Sequence, residues 1–192
     1  MSHLADRFVV LLDANVLYPF RKRDVLLRFY ESGLFRARWT DEIISEWTGS
    51  LLEKRPDLAN SISAQREKLE AVFPDALVTG YEHICEGLSL PDPGDLHVLA
   101  AAIQCGAQHI VTENIRDFPH EALEPFDIEA IEADEFLART FDLYTAEAMA
   151  VLRELREHYS KPAFTPSEFV LDLTAKGLPK LAARVRTRRQ FL

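Results

Sequence analysis

The feature that most narrows the possible folds is a run of five apolar residues, Phe8-Val9-Val10-Leu11-Leu12, that stops at Asp13-Ala14-Asn15. A half-exposed strand alternates apolar and polar side chains. An unbroken run of this length instead fits a strand covered on both faces, as in a parallel sheet. A carboxyl group directly behind such a strand costs stability unless something compensates it. The carboxyl ends of strands in open parallel sheets are also where ligands collect. The start of the chain therefore predicts an α/β fold with a polar site at one edge of its sheet.

The pattern continues in alternation. Residues 24–32 place Val25, Leu26, Phe29 and Tyr30 at helical spacing, with Gly33 as a stop. Residues 37–39 read as a short strand, and Thr40 as the N-cap of a helix reaching about Glu53. Pro56 opens a helical stretch to about Phe73, and residues 76–79 read as a strand. After the loop Pro91-Asp92-Pro93-Gly94, residues 95–105 form an alanine-rich helix ended by Gly106. Strands follow over residues 108–112 and 127–131, the last at an edge, with a helix near 134–139. From about Phe141 only helices are predicted, over 146–159, 166–176 and 178–189. The expected organisation is an α/β domain over residues 1–140 and a helical segment over 141–192.

With 192 residues, 47% of them hydrophobic, the core needs no disulfide or structural metal. Cys85 and Cys105 lack CxxC spacing and suggest a reduced, cytoplasmic setting. The initial segment is no secretory signal, because Asp13 and Asn15 break its apolar run, and no stretch approaches the roughly 20 apolar residues of a membrane span. The net charge of −9 argues against broad nucleic-acid binding, although acids gathered at a metal site would inflate it.

Three polar clusters fall at strand ends or helix starts: Asp13, the pair Asp92 and Asp95, and Thr112-Glu113-Asn114 with Asp117. Glu46 sits mid-helix between Ile43 and Trp47. Converging carboxylates repel by about 4 kcal/mol per close pair at an effective dielectric near 20. A divalent cation removes that repulsion, and oxygen-only donors favour magnesium or manganese. Each residue also has a plain structural role available. Asp13 suits a turn cap, Asp95 a first-turn acid behind an Asp92 cap and Pro93, and Glu46 a solvated helix acid beside Asp41 and Glu42. Their order and settings together favour the site. The histidines, His3, His83, His97, His109, His120 and His158, form no metal spacing, and His97 reads as a surface or packing residue.

The segments VVLLDANVL, RWTDEIISEW, LPDPGDLHVLAAAI and HIVTENIRDFP resemble, in that order, those of the PIN-domain family. They are closest to its bacterial branch of VapC-like toxins, some members of which carry extra carboxy-terminal helices. The resemblance implies a three-layer α/β/α PIN-like fold with a mostly parallel sheet. It makes Asp13, Glu46 and Asp95 metal-binding carboxylates. For the fourth position, some relatives have an acid where Asn114 stands and others use the acid of the DF turn, here Asp117. Asp117 is assigned as the charge, with Asn114 and Thr112 kept in the pocket. The implied activity is Mg²⁺- or Mn²⁺-dependent endoribonucleolytic hydrolysis leaving 5′-phosphate and 3′-hydroxyl ends. A cognate antitoxin would restrain it, and homodimers are common among such proteins.

Arg21-Lys22-Arg23 follows the first strand and is expected to guide phosphates at the pocket rim; the other basic groups, Arg36 with Arg38 and Arg184 to Arg189, read as solvated faces. Two rival readings remain. One is a catalytically weak PIN-like module that binds RNA or protein. The other is an aspartate-nucleophile phosphatase, disfavoured because Asn15 stands where a second aspartate is usual. No GxGxxG follows a strand, so dinucleotide binding finds no support.

Overall fold

The apolar run forms strand β1 (Val9–Leu12), with Val10, Leu11 and Leu12 fully buried, in a computed structural model that describes residues 8–161 and 163–192. His3 lies outside the described residues. In chain order there follow α1 (Ala14–Leu17), α2 (Phe20–Glu31), β2 (Arg36–Arg38), α3 (Asp41–Lys54), α4 (Ala59–Val72), α5 (Leu96–Cys105) and β3 (His109–Val111). Then come α6 (His120–Leu123), β4 (Glu129–Ile131), α7 (Ala133–Leu143), α8 (Thr145–His158), α9 (Pro166–Ala175) and α10 (Pro179–Arg186).

The four strands make one sheet in the order β2-β1-β3-β4, and every pairing is parallel. β1 is central, with Leu11 opposite Arg38 on one side and Ile110 on the other. The expected edge strand is β4. Residues 76–79 are not the strand expected of them. Trp39 N–H bonds to Ala76 O at 3.0 Å and Val78 N–H to Trp39 O at 2.8 Å, a single parallel bridge beside β2. The turn Pro74–Ala76 before it and Gly80 at φ 75° after it leave no length for a ladder.

The described residues divide into two compact units. The first, residues 8–18 and 36–131, holds the sheet with α1, α3, α4, α5 and α6. Thr40 caps α3 by accepting from Ile43 N–H at 3.1 Å, as its position suggests. In α5 Ala100, Ala101 and Ala102 are fully buried, so the helix has little side-chain bulk in that stretch as it packs near β1. Gly106 closes α5 at φ 64°, a left-handed conformation that costs glycine nothing. This turn returns the chain directly into β3.

The second unit, Pro19–Phe35 and Glu132–Leu192, is helical: α2 with α7 to α10. Its core includes Phe29, Phe35, Phe136, Phe141 and Phe169, with Phe35 and Phe136 edge to face at 4.9 Å. The chain is thus an α/β protein with extra carboxy-terminal helices. Position 140 lies inside α7. The buried Asp134 accepts the N–H groups of Lys180 at 2.7 Å and Leu181 at 3.0 Å, capping α10 from a distant helix. Arg21 meets Asp172 at 2.6 Å and lies 4.0 Å from the Tyr159 ring centre. No helix among the described residues is long and apolar enough to cross a membrane. Both cysteines are free thiols.

Candidate active site

β1 and β3 are parallel neighbours, so their carboxyl ends deliver Asp13 and Thr112 to the same edge of the sheet. Asp13 N–H bonds to Val111 O at 3.1 Å, which fixes the two chain ends against each other. The Asp13 side chain is only 4% exposed in its residue and caps α1 through Ala14 N–H at 2.6 Å. Its other oxygen accepts from Thr112 Oγ1 and from Asn15 Nδ2, each at 2.6 Å. Asn15 Nδ2 also bonds to Thr112 Oγ1 at 3.0 Å, and Asn15 Oδ1 accepts from Glu113 N–H at 2.9 Å. Asn114 N–H donates to Thr112 Oγ1 at 3.0 Å. Asp13 is therefore both a turn cap and part of a wired cluster. Burial raises its pKa, and the Thr112 and Ala14 hydrogen bonds oppose that rise.

Asp13, Glu46, Asp95 and Asn114 line one cavity of about 480 Å³. Four separate segments supply them: the end of β1, the middle of α3, the turn Pro93–Asp95 before α5, and the turn after β3. Burial, followed by the charges of Asp13, Asp92 and Asp117, pushes the Asp95 carboxyl up to about 6. Asp92 acts as a cap, accepting from Gly94 N–H at 2.8 Å. Asp117 ends the turn Ile115–Asp117 and bears on Asp95 through its charge, while Asn114 is the member of that segment on the cavity wall.

Among the described residues the donor atoms close enough together to hold a cation are those of Glu42, Glu46 and His97, all within 4.8 Å of one another, while Asp13 and Asp95 line the cavity with Glu46. Carboxylates that raise one another's pKa are what a bound cation relieves, and their donors are oxygens. His97 enlarges the set beyond what the sequence suggested. It is 8% exposed, with Nε2 3.1 Å from Glu46 Oε1 and Nδ1 3.6 Å from Glu42 Oε2. Burial pulls this imidazole's pKa down, but the Glu46 hydrogen bond and the charges of Glu46, Glu42 and Asp13 overcome it, and the net shift is upward. Tyr81 OH donates to Glu42 Oε2 at 3.3 Å. No histidine spacing in the sequence reveals this role; Glu42 and Glu46 lie one turn apart on α3, and His97 reaches them from α5.

Arg21, Lys22 and Arg23 all belong to the helical unit, Lys22 and Arg23 are buried, and the Arg21 side chain is 10% exposed. The cation among the described residues lining the acidic cavity is Lys54, in the last turn of α3.

The fold and this acidic cavity define an α/β class with a polar site at the carboxyl edge of a parallel sheet, and the comparisons with known proteins make it specific. The PIN domain description matches residues 9–116, so the chain belongs to the PIN domain family. The VapC50 C-terminal domain matches residues 133–187, the greater part of the carboxy-terminal helices. A Mycobacterium tuberculosis (strain ATCC 25618 / H37Rv) protein named "Putative ribonuclease VapC50" is 41% identical over 92 residues. That similarity covers 48% of this chain and 54% of the relative, so the match spans about half the length of the curated protein. No solved structure gives a significant match.

Proposed function

We propose that the chain is a metal-dependent endoribonuclease, the toxin of a toxin–antitoxin pair acting in the cytoplasm. The observation that carries the reading is the convergence of Asp13, Glu46, Asp95 and Asn114 on one cavity at the carboxyl edge of a parallel sheet. Family membership and the name of the mycobacterial relative support it.

In this reading Asp13, Glu46 and Asp95 hold Mg²⁺ or Mn²⁺, with Asn114 or Asp117 completing the set. A divalent ion there acidifies water and neutralises charge on a phosphodiester. Thr112 and Asn15 keep the Asp13 carboxylate in one orientation, so little ordering is left for the moment of reaction. The Asn114 amide offers an N–H donor to a phosphate oxygen. An antitoxin would block the cavity.

The test is cleavage of single-stranded RNA with Mg²⁺ or Mn²⁺, with and without EDTA, for the wild type, Asp13→Asn and Asp95→Asn. Cleavage should need metal and fall at least a hundredfold in both variants. Metal-independent cleavage, or unchanged variants, rejects the assignment; RNA binding without cleavage leaves a binding module, a reading that the amide at Asn114 favours. Binding and inhibition by the product of the neighbouring gene tests the toxin assignment separately.

A further inference from the structure

The acidic cavity has a wall with different chemistry. On α3 the residues Glu46, Ser50 and Lys54 lie at successive turns of one face, with Trp47 beside them, and all line the cavity. Over that distance, about 12 Å of helix, the wall changes from an anionic carboxylate to an ammonium. Lys54 Nζ lies 5.0 Å from the centre of the Tyr18 ring, and Tyr18, at the end of α1, lines the same cavity. Lys54 is exposed and Tyr18 half-buried, so both reach solvent.

A substrate polyanion entering a cavity of carboxylates is repelled except where a cation stands. Lys54 is the cationic side chain of the lining, away from the carboxylates that would hold the metal, and it stands over an aromatic face. A lysine resting on an exposed ring is held weakly, whereas a base stacked on the same ring is held more strongly and without regard to sequence. Exchange is therefore favourable. The base takes the ring face, and the released ammonium moves to the neighbouring phosphate.

We propose that Tyr18 and Lys54 form a nucleotide subsite for single-stranded RNA, with Tyr18 stacking an unpaired base and Lys54 contacting the adjoining phosphate. The subsite holds the strand beside Asp13 and Asp95 and contributes binding common to substrate and transition state. It rests on the ribonuclease reading, since it names where that enzyme's substrate is held.

The experiment is fluorescence anisotropy of the full chain with a labelled single-stranded RNA hexamer of mixed sequence, in Ca²⁺ and over a salt series. Cleavage of the same RNA in Mn²⁺ is measured alongside. Lys54→Gln should weaken binding severalfold and reduce the slope of log affinity against log salt by about 0.7, the value for one phosphate contact on a single strand. Lys54→Arg should retain both. Tyr18→Leu should weaken binding about tenfold, and Tyr18→Phe should bind like the wild type. KM should rise with kcat nearly constant. Wild-type affinity and salt slope in Lys54→Gln overturn the subsite, as does a loss in Tyr18→Phe equal to that in Tyr18→Leu. If the wild type cleaves RNA while these variants are unchanged, only the subsite fails. If the wild type neither binds nor cleaves RNA, the ribonuclease reading fails and the subsite with it.

Discussion

His97 Nε2 lies 3.1 Å from Glu46 Oε1, which ties the first turn of α5 to the middle of α3. The same ring faces Glu42 through Nδ1 at 3.6 Å, so a single imidazole sits between two carboxylates of one helix. Glu46 is thus held from behind by a buried donor while it faces the cavity.

His97→Ala should release Glu46 from that orientation. Loss of a group that orients a metal-binding side chain typically costs 10- to 100-fold in metal affinity or turnover, and a loss of about that size is expected in kcat and in Mn²⁺ affinity by calorimetry. His97→Gln keeps a donor near the Nε2 position and should recover part of both. A purely packing role would lower the melting temperature of the alanine variant but leave metal affinity unchanged.

Asp95 gives a pH prediction in metal-free protein. Its pKa stands at about 6, above the ordinary 3.8, so between these values the folded chain holds the proton more tightly than the unfolded one. The stability it contributes is present below pH 3.8 and is lost as pH rises through about 6. With EDTA, Asp95→Asn and the wild type should melt together near pH 4, and the variant should melt higher above pH 6. The position is only part-buried, and solvent screening keeps the gap to a few degrees, at roughly 2–4 °C per kcal/mol for a chain of this size. Mn²⁺ should close the gap by raising the wild type alone. A wild type that melts above the variant at pH 7.5 without metal contradicts this account.

Thr112 carries three hydrogen bonds through one hydroxyl, donating to Asp13 and accepting from Asn15 and the Asn114 backbone. Thr112→Val keeps the shape and removes all three. The Asn114 N–H loses its acceptor and the Asp13 carboxylate loses its buried donor. A loss of about 1–3 kcal/mol in urea unfolding is expected, together with a larger fall in cleavage than in stability. Equal stability would mean that water replaces the hydroxyl without cost.

The order of elements was largely legible, because local chemistry sets it: the unbroken apolar β1, the Thr40 cap, the alanine-rich α5 and its Gly106 stop. Asp13, Glu46 and Asp95 were legible through family resemblance, since each alone also suits a cap, a solvated helix acid or a first-turn acid. What escaped the sequence depends on pairings between distant segments. His97 gains its role from Glu42 and Glu46 on another helix, and Lys54 from Tyr18 at a different turn. No local signal announces that Arg21 pairs with Asp172 and lies over the Tyr159 ring. Residues 76–79 have strand composition but no second strand-length partner, so only one bridge forms.

Asp134 belongs to the same category, and it carries the prediction for the helical unit. At the start of α7 it looks like one of several dipole-favoured acids, yet its two oxygens accept the first free N–H groups of α10, from Lys180 and Leu181. Helix α10 has no capping side chain of its own. Asp134→Ala removes both acceptors from a buried helix end and should cost about 2 kcal/mol in urea unfolding, whereas Asp134→Asn, with one acceptor left, should cost roughly half as much. Lys180→Gln is the discriminating control. It deletes an ammonium lying 3.1 Å from Glu135 and 3.8 Å from Glu132 but leaves the backbone N–H that Asp134 binds. Its unfolding midpoint should stay at the wild-type value. If Lys180→Gln loses as much as Asp134→Ala, surface charge rather than the buried cap holds α10 in place.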